Sequence, residues 1–141
     1  MTRHIRPWLA VPVVVLVLAF VTASCGGDEG GVGATLADFS ITLDSDSAPA
    51  GEVTFDVTND AEQTHEFVVF QTDLAEDQLP TNDEGVVDEE GEGVTLIDEI
   101  EDVAGGSSQS LTVNLDAGSY VLICNLPGHY QQGMHASFSA T

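Results

Sequence analysis

From Thr35 onward, apolar and polar residues alternate in short runs. Within Leu36–Leu43, the residues Phe39, Ile41 and Leu43 alternate with Ser40 and Thr42. Val53, Phe55 and Val57 alternate with Thr54, Asp56 and Thr58, and Leu111, Val113 and Leu115 with Thr112 and Asn114. Tyr120–Cys124 follows the turn Asp116-Ala117-Gly118, and Met134–Ala140 alternates around Ala136 and Phe138. His65–Phe70 is instead a largely apolar run enriched in Phe and Val. A period of two sends successive side chains to opposite faces of a strand. Such runs at about six places, separated by Gly, Pro, Asn and Asp, predict an all-β sandwich or barrel.

The middle of the chain breaks this rhythm. Asp73–Asp102 holds 13 acidic residues in 30, with Pro80, Gly85, Gly91 and Gly93 scattered through it. The sequence predicts an acidic insertion over about residues 73–106, with a strand at Val94–Ile97 and a helical turn at Leu74–Leu79. Gly105-Gly106-Ser107-Ser108 marks a loop beyond it. Neither an internal repeat nor a long amphipathic helix is visible.

Residues 1–24 read as an export signal. Arg3 and Arg6 give a positive start, Trp8–Val21 is an apolar run of 14 residues broken by Pro12, and Ala23-Ser24 are small residues before a cleavage point. A membrane span needs about 20 apolar residues, so cleavage is expected. Cys25 then follows in Val21-Thr22-Ala23-Ser24-Cys25, which resembles a bacterial lipoprotein processing site, with Thr22 in place of the usual bulky aliphatic residue. Lipidation of Cys25 is the expected outcome; an ordinary signal peptide leaving a free thiol is the alternative. Residues 25–34 have the Gly-rich composition of a flexible tether, and residues 35–141 form the folded domain. About 100 residues suffice for one packed core.

Charge narrows the partners. The chain has 24 Asp and Glu against two Lys and Arg, and both basic residues lie in the leader, so cleavage moves the formal charge from −22 to −24. This balance excludes binding to nucleic-acid phosphates and electrostatic adhesion to anionic lipid headgroups, leaving a covalent lipid anchor as the means of membrane attachment. The acidic segment either keeps the protein hydrated or docks a basic partner protein. A calcium loop is disfavoured, because Asp88-Glu89-Glu90-Gly91-Glu92 lacks EF-hand spacing. A monomer is expected.

The chemistry is concentrated near the C-terminus, in Cys124-Asn125-Leu126-Pro127-Gly128-His129-Tyr130-Gln131-Gln132-Gly133-Met134. Four residues separate Cys124 from His129 and four separate His129 from Met134, with Pro127-Gly128 bending the chain between them. A thiolate, imidazole and thioether together select copper, above all in a trigonal site of two His and one Cys with a long Met bond. Zinc accepts Cys and His but rarely Met. The second imidazole is expected from His65, which opens a strand after the loop Asn59–Thr64. His4 lies in the leader, and His135 should point away from Met134 by strand alternation. Tyr120, Leu122 and Cys124 share one strand face, so Cys124 should turn inward to an apolar shell. Its sulfur should accept a backbone N–H, and Asn125 should fix the neighbouring loop.

On these residues, together with Thr64-His65-Glu66-Phe67 and the strand Gly118–Cys124, the chain from about Thr35 to Thr141 resembles the cupredoxins. Its spacing is closest to long-loop members such as the auracyanins, rusticyanins and sulfocyanins. The resemblance implies an eight-stranded Greek-key β-sandwich with one type 1 copper ion near one end, bound by His65, Cys124, His129 and Met134. An acidic insertion this long and charged departs from the pattern. The function implied is one-electron transfer at the outer face of the cell membrane. Its alternative is a lipoprotein that carries, stores or senses copper, for which extra exposed Met or His would be expected. An enzyme is not expected. Protein groups fill all four ligand positions, Cys124 lacks flanking histidines, and a binuclear centre would need a second cysteine in this loop.

Overall fold

The computed structural model describes residues 31–141; the expected leader and Cys25 lie outside them. The described chain forms strands β1 (Val32–Ala37), β2 (Ser40–Leu43), β3 (Ser47–Ala48), β4 (Gly51–Asn59), β5 (His65–Gln71), β6 (Thr95–Val103), β7 (Ser108–Leu115), β8 (Gly118–Ile123) and β9 (His135–Ala140), with one 3-10 turn at Tyr130–Gln132. One sheet has the order β2-β1-β4-β7 and the other β3-β9-β8-β5-β6. Each is mixed: β1 runs parallel to β4 and β3 parallel to β9, while the remaining pairs are antiparallel. The sheets face each other as a Greek-key β-sandwich. Nine strands stand where the resemblance implies eight, the extra count including the two-residue β3.

The interior follows from the alternation. Val53, Phe55 and Val57 of β4 are buried while Asp56 is exposed. Phe55 bridges the sheets, with ring centroids 5.5 Å from Phe67 and 5.2 Å from Phe138. Val32, Leu36, Val69, Leu122 and Met134 complete the same core.

A second apolar cluster lies on the outer face of the five-stranded sheet. Val68, Phe70, Val121 and Ile123 point outward there and are covered by Leu79, Val87 and Tyr130. The acidic insertion is thus a covering layer, carboxylates to solvent and a few apolar residues to the sheet. Burial on both faces explains why His65–Phe70 reads as a continuous apolar run rather than an alternating one.

Four expectations change. Leu36–Leu43 is a hairpin, not one strand: β1 and β2 pair across Ala37↔Ser40, and Phe39 at the turn is 41% exposed. The domain also begins earlier, at Val32, because Val32 and Ala34 pack into the core; the expected tether therefore overlaps a strand. Residues 74–79 make a single hydrogen-bonded turn, with the Gln78 N–H on the Ala75 carbonyl at 2.9 Å, and do not continue as a helix. There the Tyr130 hydroxyl accepts the Leu79 N–H and donates to the Glu76 carbonyl, both at 2.9 Å. Finally, the strand expected at Val94–Ile97 extends to Val103, since Ile97 and Ile100 pack against the core while the neighbouring carboxylates face out.

Candidate metal centre

The site sits where β5 begins and β8 ends. These strands pair antiparallel, with Val68 opposite Ile123 as the last rung. Beyond that rung the Glu66 N–H donates to the Cys124 sulfur at 3.3 Å, in place of a backbone carbonyl. The thiol group accordingly lies inside the sandwich, as expected from the strand face, and Cys124 is fully buried.

Two turns bring the other donors. Pro127-Gly128 forms a type II turn: the His129 N–H bonds the Leu126 carbonyl at 3.0 Å and Gly128 has φ 77°, which only Gly adopts without strain. This swings His129 back over Cys124. Met134 then closes the loop, its N–H bonded to the His129 carbonyl at 3.2 Å and its carbonyl to the Cys124 N–H at 3.1 Å. Met134 is fully buried.

His65 is placed by Asn59, which the sequence reading did not single out. The buried Asn59 amide donates to the carbonyls of Gln63 and Val103, both at 2.8 Å, and accepts the Ala61 N–H at 3.0 Å. Its side chain thereby folds the loop that delivers His65. Gly105 lets a second loop lie against this one, since a Cβ there would collide with the Glu62 carbonyl. An Asn at a strand end followed by a polar loop is a turn signal, but nothing local tells which loop it will clamp.

The result is a compact set of donors. One ring nitrogen each of His65 and His129 and the Cys124 sulfur lie within 4.8 Å of one another. Both imidazoles offer Nδ1, at 3.7 Å and 3.5 Å from the sulfur, and their ring centroids are 5.2 Å apart. Burial pushes the His65 pKa down, helped by His129 and opposed by Asp38, which favours the neutral imidazole, the form whose lone pair can bind a metal. Burial pushes the Cys124 thiol up, partly offset by the N–H groups of Glu66 and Leu126. The donors suit a soft cation that displaces the thiol proton on binding. Thiolate, two imidazoles and a nearby thioether fit a single type 1 copper ion.

The profile of the Sulfocyanin (SoxE) domain matches residues 14–141. The chain belongs to this sulfocyanin domain family. No curated relative matches. Among solved structures, reduced auracyanin from Roseiflexus castenholzii is 20% identical with TM-score 0.56, covering 77% of this chain and 94% of that one. Reduced rusticyanin is 20% identical with TM-score 0.56, over 79% and 78%. Auracyanin A, described as a "blue" copper protein from Chloroflexus aurantiacus, is 20% identical with TM-score 0.53, over 79% and 100%. At such identity the likeness is one of fold, and it is the cupredoxin fold.

Around the donors, the structure bears out two expectations for this sulfocyanin domain. The cysteine sulfur accepts a backbone N–H, and Asn125 fixes a neighbouring segment: its amide accepts the Val87 N–H at 2.7 Å and donates to the Val87 carbonyl at 3.1 Å. The segment it holds is the acidic insertion. His135 faces away from the cluster, with Nδ1 3.4 Å from Glu76 and its ring 5.5 Å from Tyr130. Asp38 and Phe39 also border the site, from the β1–β2 turn. The sequence carries one trace of that turn, since apolar parity switches from even positions (Val32, Ala34, Leu36) to odd ones (Ile41, Leu43) across it.

Proposed function

We propose that this protein is a one-electron carrier whose copper is held by His65, Cys124, His129 and Met134. The observation that carries the reading is the cluster of His65, Cys124 and His129, the first two buried and the third half-buried, with one donor atom of each within 4.8 Å of the others. Bound copper supplies a one-electron couple. The protein's residues supply a fixed frame: Asn59 holds the His65 loop, the Pro127-Gly128 turn holds His129, and the Cys124–Met134 backbone bond shuts the ligand loop. A frame that does not rearrange between oxidation states keeps the barrier to electron transfer low. Apolar packing around Cys124 and Met134 keeps water out. With four protein donors, no coordination position is left for a substrate.

The test is copper loading followed by redox cycling. One Cu(II) per chain should give an intense thiolate-to-copper visible band, absent in Cys124→Ser and retained in His135→Ala. The metal should survive repeated oxidation and reduction. Loss of Cu(I) to an acceptor thiol protein within a few cycles would mark a copper carrier instead, and zinc binding without a coloured copper form would sink the reading.

The location follows from the leader and Cys25. The protein is exported and anchored by a lipid on Cys25 at the outer face of the cell membrane, supported by the small residues before that cysteine. In a bacterium with lipoprotein processing it should partition with membranes, and Cys25→Ser should lose lipid labelling. Release of wild type with an unmodified Cys25 thiol would refute the anchor. Its redox partners meet a surface with many carboxylates and no Lys or Arg beyond the leader, which favours a neutral or basic docking face.

A further inference from the structure

His65 is fully buried, and the two nitrogens of its ring meet different surroundings. Nδ1 faces the Cys124 sulfur. Nε2 is buried on the other side and has no hydrogen-bond partner. A neutral imidazole carries one proton, so an Nδ1 that offers its lone pair requires the proton on Nε2. A buried N–H left without an acceptor is unfavourable, and the alternative tautomer would point the proton at the sulfur, 3.7 Å away.

The charged group facing Nε2 is the Asp38 carboxylate, with Oδ1 at 4.0 Å. That separation is too long for a hydrogen bond, but a charge acts beyond contact. Asp38 is also held in place. Gln63 donates to the same oxygen at 3.0 Å, and the Gln63 carbonyl is itself fixed by Asn59. Next in the turn, Phe39 has φ 61°, the one positive value outside glycine among the described residues, and its ring meets the edge of His129 with centroids 5.9 Å apart. A left-handed non-glycine residue persists where its surroundings enforce it. The β1–β2 turn thus reaches both imidazoles from a part of the sequence remote from the ligand loop.

We propose that Asp38 is a positioning residue of the copper centre: its carboxylate favours the Nε2–H form of His65, leaving Nδ1 free for the metal, and its negative charge favours the oxidised over the reduced ion. The inference rests on reading His65 as a ligand. A fixed anion stabilises the more positive state of a nearby centre, so removing it raises the reduction potential. The Asp38 side chain is 65% exposed, so salt should screen much of the effect.

Two measurements test it, one of them without copper. In the metal-free protein, nitrogen-15 NMR of the His65 ring should show the proton on Nε2, and Asp38→Ala should move the balance toward Nδ1–H. A wild-type ring protonated on Nδ1 would overturn the proposal. In the copper-loaded protein, midpoint potentials at low ionic strength are compared for wild type, Asp38→Asn and Asp116→Asn. Asp116 lies at the far end of β8 and gives the same change in net charge. Asp38→Asn should raise the potential more than Asp116→Asn, with the visible band retained and the gap narrowing as salt is added. Equal potentials in the two variants at low salt would overturn the electrostatic role. A wild-type protein that takes up no copper would strike the reading of His65 as a ligand, while the NMR result would still decide whether Asp38 sets the tautomer.

Discussion

Asn125 directly follows Cys124, yet its side chain serves a different part of the chain. It is buried, takes the Val87 N–H, and returns its own N–H groups to the Val87 carbonyl and, at 3.2 Å, to the Glu89 carboxylate. One amide thus stands in for a strand rung between the ligand loop and the acidic insertion. Asn125→Ala leaves the Val87 groups without their partner beneath a covered surface, at a cost of about 1–3 kcal/mol. Asn125→Asp should be worse at neutral pH, because it loses both donors and adds a charge beside Glu66 and Glu89. Burial and the neighbouring Glu99 and Glu89 already push the Glu66 carboxyl up, so this corner resists further negative charge. Denaturant unfolding of both variants should show lowered midpoints in that order, with copper colour retained by Asn125→Ala. An unchanged midpoint in Asn125→Ala would remove the clamp. The donors themselves were legible in the sequence where their spacing is local: Cys124, His129 and Met134 occupy one segment, and a strand-opening His65 was the natural fourth. Asp38 and Asn59 were not, because each acts across a distance set only by the tertiary fold.

At the level of elements, β8 is buried on both faces and was marked by the turn before it. Alternation of period two instead located β4, β7 and β9 well, since each buries one face against the opposite sheet and leaves the other more open. It failed where that condition fails. At β1–β2, Phe39 has the right character for a strand but sits at a turn, and the parity switch between Leu36 and Ile41 was the better guide. In β6 the dense carboxylates Asp98, Glu99, Glu101 and Asp102 mask a strand. It is an edge strand, paired to β5 alone, and charges along an exposed edge deter pairing with another chain. Around Leu74–Leu79 a local helical preference loses to one tertiary contact, the Tyr130 hydroxyl, which takes up backbone groups that a helix would have paired internally. Tyr130 stands immediately after His129, so the same 3-10 turn supports the candidate ligand and anchors the covering layer. Copper loop and acidic insertion are mechanically joined at both Asn125 and Tyr130, although some 40 to 50 residues separate the partners in sequence.

For the whole molecule, the joined layer changes what the carboxylates can be asked to do. Leu79 and Val87 cover the outer face of the five-stranded sheet, so the insertion has a packing role whatever its charges contribute. The charges are not confined to it, because the 24 Asp and Glu run through the chain from Asp28 to Asp116. A cationic partner is therefore drawn by the field of the entire surface, and steering of this kind weakens as salt is added. Screening becomes strong beyond about 8 Å at physiological ionic strength, which leaves little for one segment to add at long range. Replacing Asp88, Glu90 and Glu92 by Asn or Gln, while sparing Glu89 for its bond to Asn125, removes exposed charge without touching the clamp. Electron transfer with a cationic one-electron reductant should slow with salt in wild type, and the triple variant should follow nearly the same curve, because most of the surface charge remains. A clear drop in the variant's rate at low salt that vanishes at high salt would locate the encounter on the insertion and assign these carboxylates to docking rather than hydration.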